Sequence, residues 1–363
     1  MRILYIIDNM KEGGKERQLA ELVKSLKKKN GIDLKLVILS DATDFDYINK
    51  LDTDIQLLKR KYKKDISIFG KLLKICGNFR PDIIHSWELM CSVYSLPVAK
   101  LKGIKFVNGI IRSAPSESDI NATKWFWTRL TFLFSDAILG NSHAGLLSFK
   151  APGAKSYCIY NGFDFGRLEN IQSAENIKRK HNIYTENVVG MVARFDMHKG
   201  YDLFIKSAMN ILDRRNNVTF VAVGTGDTFD NCVNLVPGKY KENIRFLGQQ
   251  RDVESIVNAF DIGVLVSKNE GISNAIMEYM ALEKPVVASI NSGNEELVQN
   301  NTTGLLARHG DIADLTEKIE YLLGNKDAAA AMGKAGRERV ERMFNIEKMT
   351  LEHMNLYERV LNG

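Results

Sequence analysis

What the chain lacks narrows it first. In its 363 residues no uncharged apolar run reaches the ~18 positions that a membrane-spanning helix needs. Met1-Arg2-Ile3-Leu4 leads directly into strand-like sequence, without the succession of charged, apolar and small residues that marks a secretory leader. Cysteine is scarce: Cys76, Cys91, Cys158 and Cys232 stand far apart, and no C-x-x-C pair occurs. They are expected as reduced core residues of a cytoplasmic protein, with neither a zinc site nor a disulfide framework. Internal repeats and low-complexity segments are missing, as are a Walker loop and a G-x-G-x-x-G fingerprint. Histidine is sparse too, and His85, His143 and His198 form no evident catalytic set.

The length exceeds what one core covers, so two domains are expected. A hydrophobic content of 45% with 26% charged residues is that of an ordinary globular chain. Residues 1–165 carry 26 Lys and Arg against 17 Asp and Glu, a surplus of nine, whereas residues 166–363 carry 24 against 27. The first half is thus the one that would meet an anionic surface. Its basic runs are Lys27-Lys28-Lys29 and Lys59-Arg60-Lys61-Tyr62-Lys63-Lys64, with Lys71 and Lys74 beyond. These read as solvated faces or as attraction to anionic lipid headgroups. No nucleic-acid partner is expected, because aromatic residues do not interleave with the cations in a binding motif.

Strand and helix patterns alternate along the chain. Residues 2–8 read as a buried parallel strand, followed by Gly13-Gly14 and an amphipathic helix, an arrangement that turns backbone donors toward phosphate or is simply a turn. The pairs Asp44-x-Asp46 and Asp52-x-Asp54 match a metal-holding D-x-D but have no third ligand in view, so they read as solvated loops. Residues 81–87 form another strand, ending at Trp87 where open parallel sheets place ligands. The strand at 105–107 delivers Arg112, suited to a phosphate or acidic sugar, or to a surface ion pair. A helix over 120–136 carries Trp125-Phe126-Trp127, Leu130 and Phe132-Leu133-Phe134. It reads as core, or, with Lys124 and Arg129, as a helix at a bilayer interface. Residues 166–185 are polar and read as a hinge.

In the second half the alternation restarts at 187–193. Arg194 and Lys199 flank a loop at a strand's carboxyl end, before a helix start, and suit a diphosphate. A later strand at 262–266 runs through a loop to Glu270 and Gly271-Ile272-Ser273-Asn274, with Ile272, Ile276 and Met280 on one helical stripe. Backbone N–H groups there suit an anionic or hydroxyl-rich ligand, with Glu270 just ahead and Glu278 about two turns along. The competing reading is a capped amphipathic helix whose dipole Glu270 complements.

Glu270 to Glu278 resembles the E-x7-E signature of the family-4 glycosyltransferases, and Ala259-Phe260-Asp261 and Glu283-Lys284-Pro285-Val286-Val287-Ala288 fit around it. Arg194…Lys199-Gly200, Gly224-Thr225-Gly226-Asp227, Phe246-Leu247-Gly248 with Asp252-Val253, and Asn161-Gly162-Phe163-Asp164 fall in the family's order. The resemblance implies a GT-B fold: two Rossmann-like α/β domains facing each other across a cleft. The first would span 1–165 and bind acceptor, the second 166–345 and bind nucleotide-sugar, and a helix at 346–363 would return to the first.

The implied activity is retaining, metal-independent transfer of a sugar from a nucleotide-diphosphate sugar, UDP-sugar being expected. The acceptor would be a saccharide, lipid-linked, in envelope polysaccharide synthesis, at the inner face of the cell membrane. By resemblance Arg194, Lys199 and Glu270 are catalytic. Gly13, Gly14, Gly271, Ile272, Ser273, Asn274 and Glu278 join Arg194 and Lys199 in binding donor, Glu278 on its ribose. Arg112 and Trp87 are candidates for acceptor or donor-sugar contact, the family's usual histidine being absent near Arg112. No metal or other cofactor is implied. Two rival readings are a sugar-nucleotide epimerase of the same fold and a non-catalytic sugar-nucleotide-binding subunit.

Overall fold

Runs of Val, Ile and Leu unbroken by charge make strands that are buried on both faces, and such strands need helices on either side. The computed structural model, which describes residues 1–11, 13–40, 51–62, 64–116 and 119–363 (the Ser292 side chain excepted), follows that rule twice. One compact unit comprises Met1–Gly162 with Ile346–Gly363, the other Phe163–Asn345.

In the first unit the described strands are β1 (Arg2–Ile7), β2 (Asp33–Ile38), β3 (Asp54–Leu57), β4 (Ile83–Ser86), β5 (Lys105–Ile111), β6 (Ala137–Gly140) and β7 (Ser156–Cys158). They form a parallel sheet in the order β3-β2-β1-β4-β5-β6-β7. In the second, β8 (Asn187–Val192), β9 (Val218–Val223), β10 (Ile244–Gly248), β11 (Ile262–Leu265), β12 (Val286–Ser289) and β13 (Gly304–Ala307) lie parallel in the order β10-β9-β8-β11-β12-β13. Helices alternate with the strands, so each unit is a doubly wound, Rossmann-like α/β layer structure. The order turns back between β1 and β4 in one sheet and between β8 and β11 in the other. At such a switch point the flanking loops part and leave a crevice at the strands' carboxyl ends.

The helix Ile346–Asn362 belongs to the first unit and packs on the helix Gly14–Lys27. Its Ile346, Met349, Leu356 and Val360 are buried in the core of β1 and β2. At roughly 1.5–3 kcal/mol per buried apolar side chain, they anchor it by on the order of 6–12 kcal/mol before entropy.

The segment 166–185 is no linker. It lies inside the second unit, where Ile177 is buried and the helix Ala174–Lys180 packs on the helix Val253–Asn258. Of the D-x-D pairs, Asp44-x-Asp46 lies outside the described residues, while Asp52 and Asp54 pair with Lys27 and Lys35. No three His, Cys, Asp or Glu side chains gather among the described residues as a metal cluster would. No described helix is long and apolar enough to cross a membrane.

Candidate active site

The loops that follow β8 and β11 flank the second switch point. After β8 the chain must turn before the helix Tyr201–Leu212, and aromatic packing fixes that turn. Phe195 is buried and stacks on Tyr201 at 3.6 Å, the two rings nearly parallel. The Tyr201 hydroxyl accepts from the Ala193 N–H at 3.0 Å and donates to the Val223 carbonyl at 2.7 Å. The rigid turn carries Arg194 outward and Lys199 inward. Lys199 Nζ meets Glu270 Oε1 at 2.5 Å, and the Lys268 N–H donates to the His198 carbonyl at 2.7 Å. Two loops on opposite sides of the switch point are thereby joined by a backbone bond and an ion pair.

Electrostatics keep Lys199 charged. Burial pulls the Lys199 pKa down, but the charge and hydrogen bond of Glu270, with Asp196 nearby, outweigh it and leave it above the ordinary lysine value. Arg194 is exposed, and its guanidinium meets Asp227, a still more exposed partner, at 3.4 Å. Such a surface pair is worth about 0–1 kcal/mol, so an anionic ligand can exchange for Asp227 at little cost.

Downstream of Glu270 the helix begins at Asn274, later than the apolar stripe suggests, because Ser273 takes the capping position and its hydroxyl accepts from the Ile276 N–H at 3.4 Å. Gly271, Ile272 and Ser273 are buried and Asn274 is half-buried. The loop is clasped from behind. Ser289 Oγ and Asn291 Nδ2 donate to the Ser267 carbonyl at 2.6 and 3.0 Å. A Cβ at Gly293 would stand 2.2 Å from the Glu270 carbonyl oxygen, so only glycine lets the helix Ser292–Leu297 approach this closely.

Glu278, expected by resemblance on the donor ribose, is buried. It is 1% exposed, and its Oε1 lies 3.3 Å from an Arg167 guanidinium nitrogen that also contacts Glu254. Sequence reasoning passed over Arg167, which sits 111 residues away in the stretch read as a hinge; no local signal marks it.

In the first unit Gly13 caps the helix Gly14–Lys27, and the Arg17 N–H donates to its carbonyl at 3.0 Å. The Glu16 carboxylate lies 2.3 Å from where a Gly13 Cβ would stand, so a carboxylate already lies against that loop. On the other side of the switch point Glu88 contacts Lys15 and accepts from the Asp8 N–H at 2.7 Å. Trp87 is fully buried, and its indole N–H donates to the Lys15 carbonyl at 3.1 Å. The indole face supports the Arg112 guanidinium at 3.5 Å. Arg112 is thus the group that can meet a ligand, and Trp87 the platform beneath it.

Beside that platform lies a buried polar cluster that links β1, β4 and the last helix. Tyr5 and Tyr357 share a hydroxyl hydrogen bond of 2.7 Å, and His85 Nδ1 lies 2.8 Å from Tyr357 Oη. His353 Nδ1 donates to the Met349 carbonyl at 2.8 Å and its ring stacks on His85. Gly109 lets His85 Nε2 and Arg112 Nη2 converge, at 2.5 and 3.0 Å from where its Cβ would be. Neither nitrogen has a hydrogen-bond partner among the described residues. Burial, with Arg112 adding its charge, lowers both histidines, His353 to about 3, and burial brings Arg112 itself down to about 9.

Similarity to known proteins agrees with this architecture. Residues 173–339 match the family described as "Glycosyl transferases group 1", and residues 12–167 match "Glycosyltransferase Family 4". A poly(ribitol-phosphate) alpha-N-acetylglucosaminyltransferase of Staphylococcus aureus is 30% identical over 205 residues, 55% of this chain and 41% of that protein. An N,N'-diacetylbacillosaminyl-diphospho-undecaprenol alpha-1,3-N-acetylgalactosaminyltransferase of Campylobacter jejuni is 31% identical over 185 residues, 50% of this chain and 47% of that protein. The chain thus spans about half the length of these curated relatives. The crystal structure of Anabaena Alr3699/HepE in complex with UDP and glucose superposes with a TM-score of 0.88 at 18% identity, covering 99% of each chain, a likeness of fold. Parallel sheets with paired switch-point loops, and family matches that run through both units, make the chain a member of the group 1, family 4 glycosyltransferases with GT-B fold.

Proposed function

We propose that the protein transfers a sugar, with retention of anomeric configuration, from a UDP-sugar to a saccharide acceptor carried on a lipid, in the building of an envelope polysaccharide. The observation that carries the reading is the Lys199–Glu270 pair at 2.5 Å across the β8/β11 switch point, with Arg194 exposed beside it. Departure of a nucleoside diphosphate builds negative charge on the leaving phosphate. Two preorganised cations next to a helix start stabilise that charge by several kcal/mol. Glu270 orients Lys199 and binds the donor sugar's hydroxyls, assisted by the backbone from Gly271 to Asn274. Glu278 reaches the ribose by sharing its carboxylate with Arg167. Gly13 and Gly14 add backbone donors, and Arg112 contacts the acceptor or donor sugar. The cations take the role that a divalent metal fills elsewhere, so turnover is expected to persist in EDTA.

The relatives support the chemistry. Both curated names print an alpha linkage, which retention yields from an alpha-linked nucleotide sugar, and one prints a diphospho-undecaprenol acceptor. The test begins with a thermal-shift panel of nucleotide sugars, since a ligand that binds the native state raises its melting temperature. Donor hydrolysis and transfer are then measured for Lys199→Ala and Glu270→Ala. Losses of about 10²-fold or more in kcat are expected for Lys199→Ala. Unchanged turnover in both variants removes the pair from the chemistry. Donor isomerised at a sugar carbon without transfer points to an epimerase instead.

A further inference from the structure

The helix Ala122–Phe134 is mounted inside out. Its inward face is Thr128, Thr131 and Phe132, the two threonines 0% and 2% exposed, and it packs on the helix Leu89–Lys102. Thr131 Oγ1 donates to the Thr128 carbonyl at 2.9 Å and Ser135 Oγ to the Thr131 carbonyl at 2.6 Å, while the buried Thr128 hydroxyl has no hydrogen-bond partner among the described residues. The outward face is apolar. Phe126 is 61% exposed, Leu133 67% and Phe134 50%, with Trp127 edge-on to Phe126 and Leu130 half-buried between the turns. Positions 126, 130, 133 and 134 lie on one side of a helix, so these side chains make a continuous stripe. A solvated helix shows the opposite polarity.

The charges around the stripe have one sign. Between Asp119 and Asp136 the chain has no acidic residue, and from Ala137 to Phe163 there is none either. Lys124, Arg129, Lys150 and Lys155 border the helix: Arg129 lies over the Trp125 ring at 4.8 Å, Lys150 over the same ring at 5.9 Å, and Lys155 Nζ donates to the Leu133 carbonyl at 2.9 Å. Asp136 is engaged by Lys100 and the Phe106 N–H. An outward apolar face flanked by cations complements a surface with anionic heads and an apolar layer behind them.

We propose that the Ala122–Phe134 helix docks the protein on an anionic lipid bilayer, lying in the plane of the interface with Phe126, Trp127, Leu133 and Phe134 inserted. The inference uses none of the donor-site residues. It deepens the transfer reading by bringing the enzyme to a lipid-carried acceptor, and for that purpose alone it rests on that reading. The experiment is cosedimentation of the full chain with phosphatidylcholine vesicles, with and without phosphatidylglycerol, at low salt. Binding to the anionic vesicles is expected, and the Phe126→Ser/Phe134→Ser double variant is expected to lose it by at least about tenfold. Both side chains are exposed, so the variant's melting temperature is expected unchanged, as is its donor hydrolysis. Trp127 emission should shift to the blue on vesicle addition, and the shift should vanish in Trp127→Phe. Absence of binding to anionic vesicles, or equal binding by the double variant, overturns the proposal. A dimer in sedimentation velocity that the double variant abolishes also overturns it, giving the face to a second copy. Failure of the donor tests leaves the vesicle result standing, so the two readings fail separately.

Discussion

Acidification should unfold the first unit ahead of the second, and His353 lets the size of the effect be worked out. Its ring is 1% exposed, its Nδ1 proton is committed to the Met349 carbonyl, and burial with the Arg112 charge brings its pKa to about 3. In the unfolded chain the value returns to the ordinary 6.5. The folded value is the lower one, so the unfolded chain takes the proton first. Stability is therefore complete above pH 6.5 and is lost as pH falls below it. At about 1.4 kcal/mol per pH unit, and allowing for partial titration near 6.5, the loss between pH 7 and 5 is about 2 kcal/mol for this one ring. His85 is fully buried and lowered in the same direction, so it adds to the effect. The assay has a built-in reporter, because Trp87, Trp125 and Trp127 all lie in the first unit. Urea unfolding followed by tryptophan fluorescence at pH 7, 6 and 5 therefore reads that unit alone. His353→Gln removes the titrating group, and its loss between pH 7 and 5 should be smaller than wild type's by about 2 kcal/mol. Parallel pH dependences for variant and wild type would refute the claim that this histidine is held neutral by its burial.

Three further expectations follow from the second unit. Lys199 is held charged by Glu270, and a raised lysine pKa keeps its stabilising charge until pH climbs past the ordinary 10.5, so the alkaline limb of a kcat profile that Lys199 controls should lie above that value. A Lys199-dependent midpoint well below it contradicts the pairing. Gly293→Ala should lower kcat without touching any ligand, since its Cβ must displace the Glu270 and Gly271 carbonyls; wild-type rates from a stably folded variant show that the loop position is not critical. Arg167→Ala removes a guanidinium that contacts two buried carboxylates, and should destabilise the second unit by about 2–4 kcal/mol, read by calorimetry. A melting temperature within a degree of wild type would mean that Glu254 and Glu278 are held by other groups.

Much of the architecture was written locally. Most of the central strands are short runs of branched apolar residues, and the candidate loops are clusters of glycine and charge at their ends; both depend only on near neighbours, so the alternation and the positions of Arg194, Lys199 and Glu270 could be read along the chain. Burial and pairing depend on residues far apart in sequence, and these the tertiary structure decided. Lys199 meets Glu270 across 71 residues because β8 and β11 are neighbours in the sheet, and Arg167 closes on Glu278 across 111. Tyr5 and Tyr357 join across 352 because the last helix returns to β1. The helix Ala122–Phe134 shows the limit most plainly. Its composition is that of a core helix, and only its packing on the helix Leu89–Lys102 turns Thr128, Thr131 and Phe132 inward and leaves Phe126, Trp127 and Phe134 facing out.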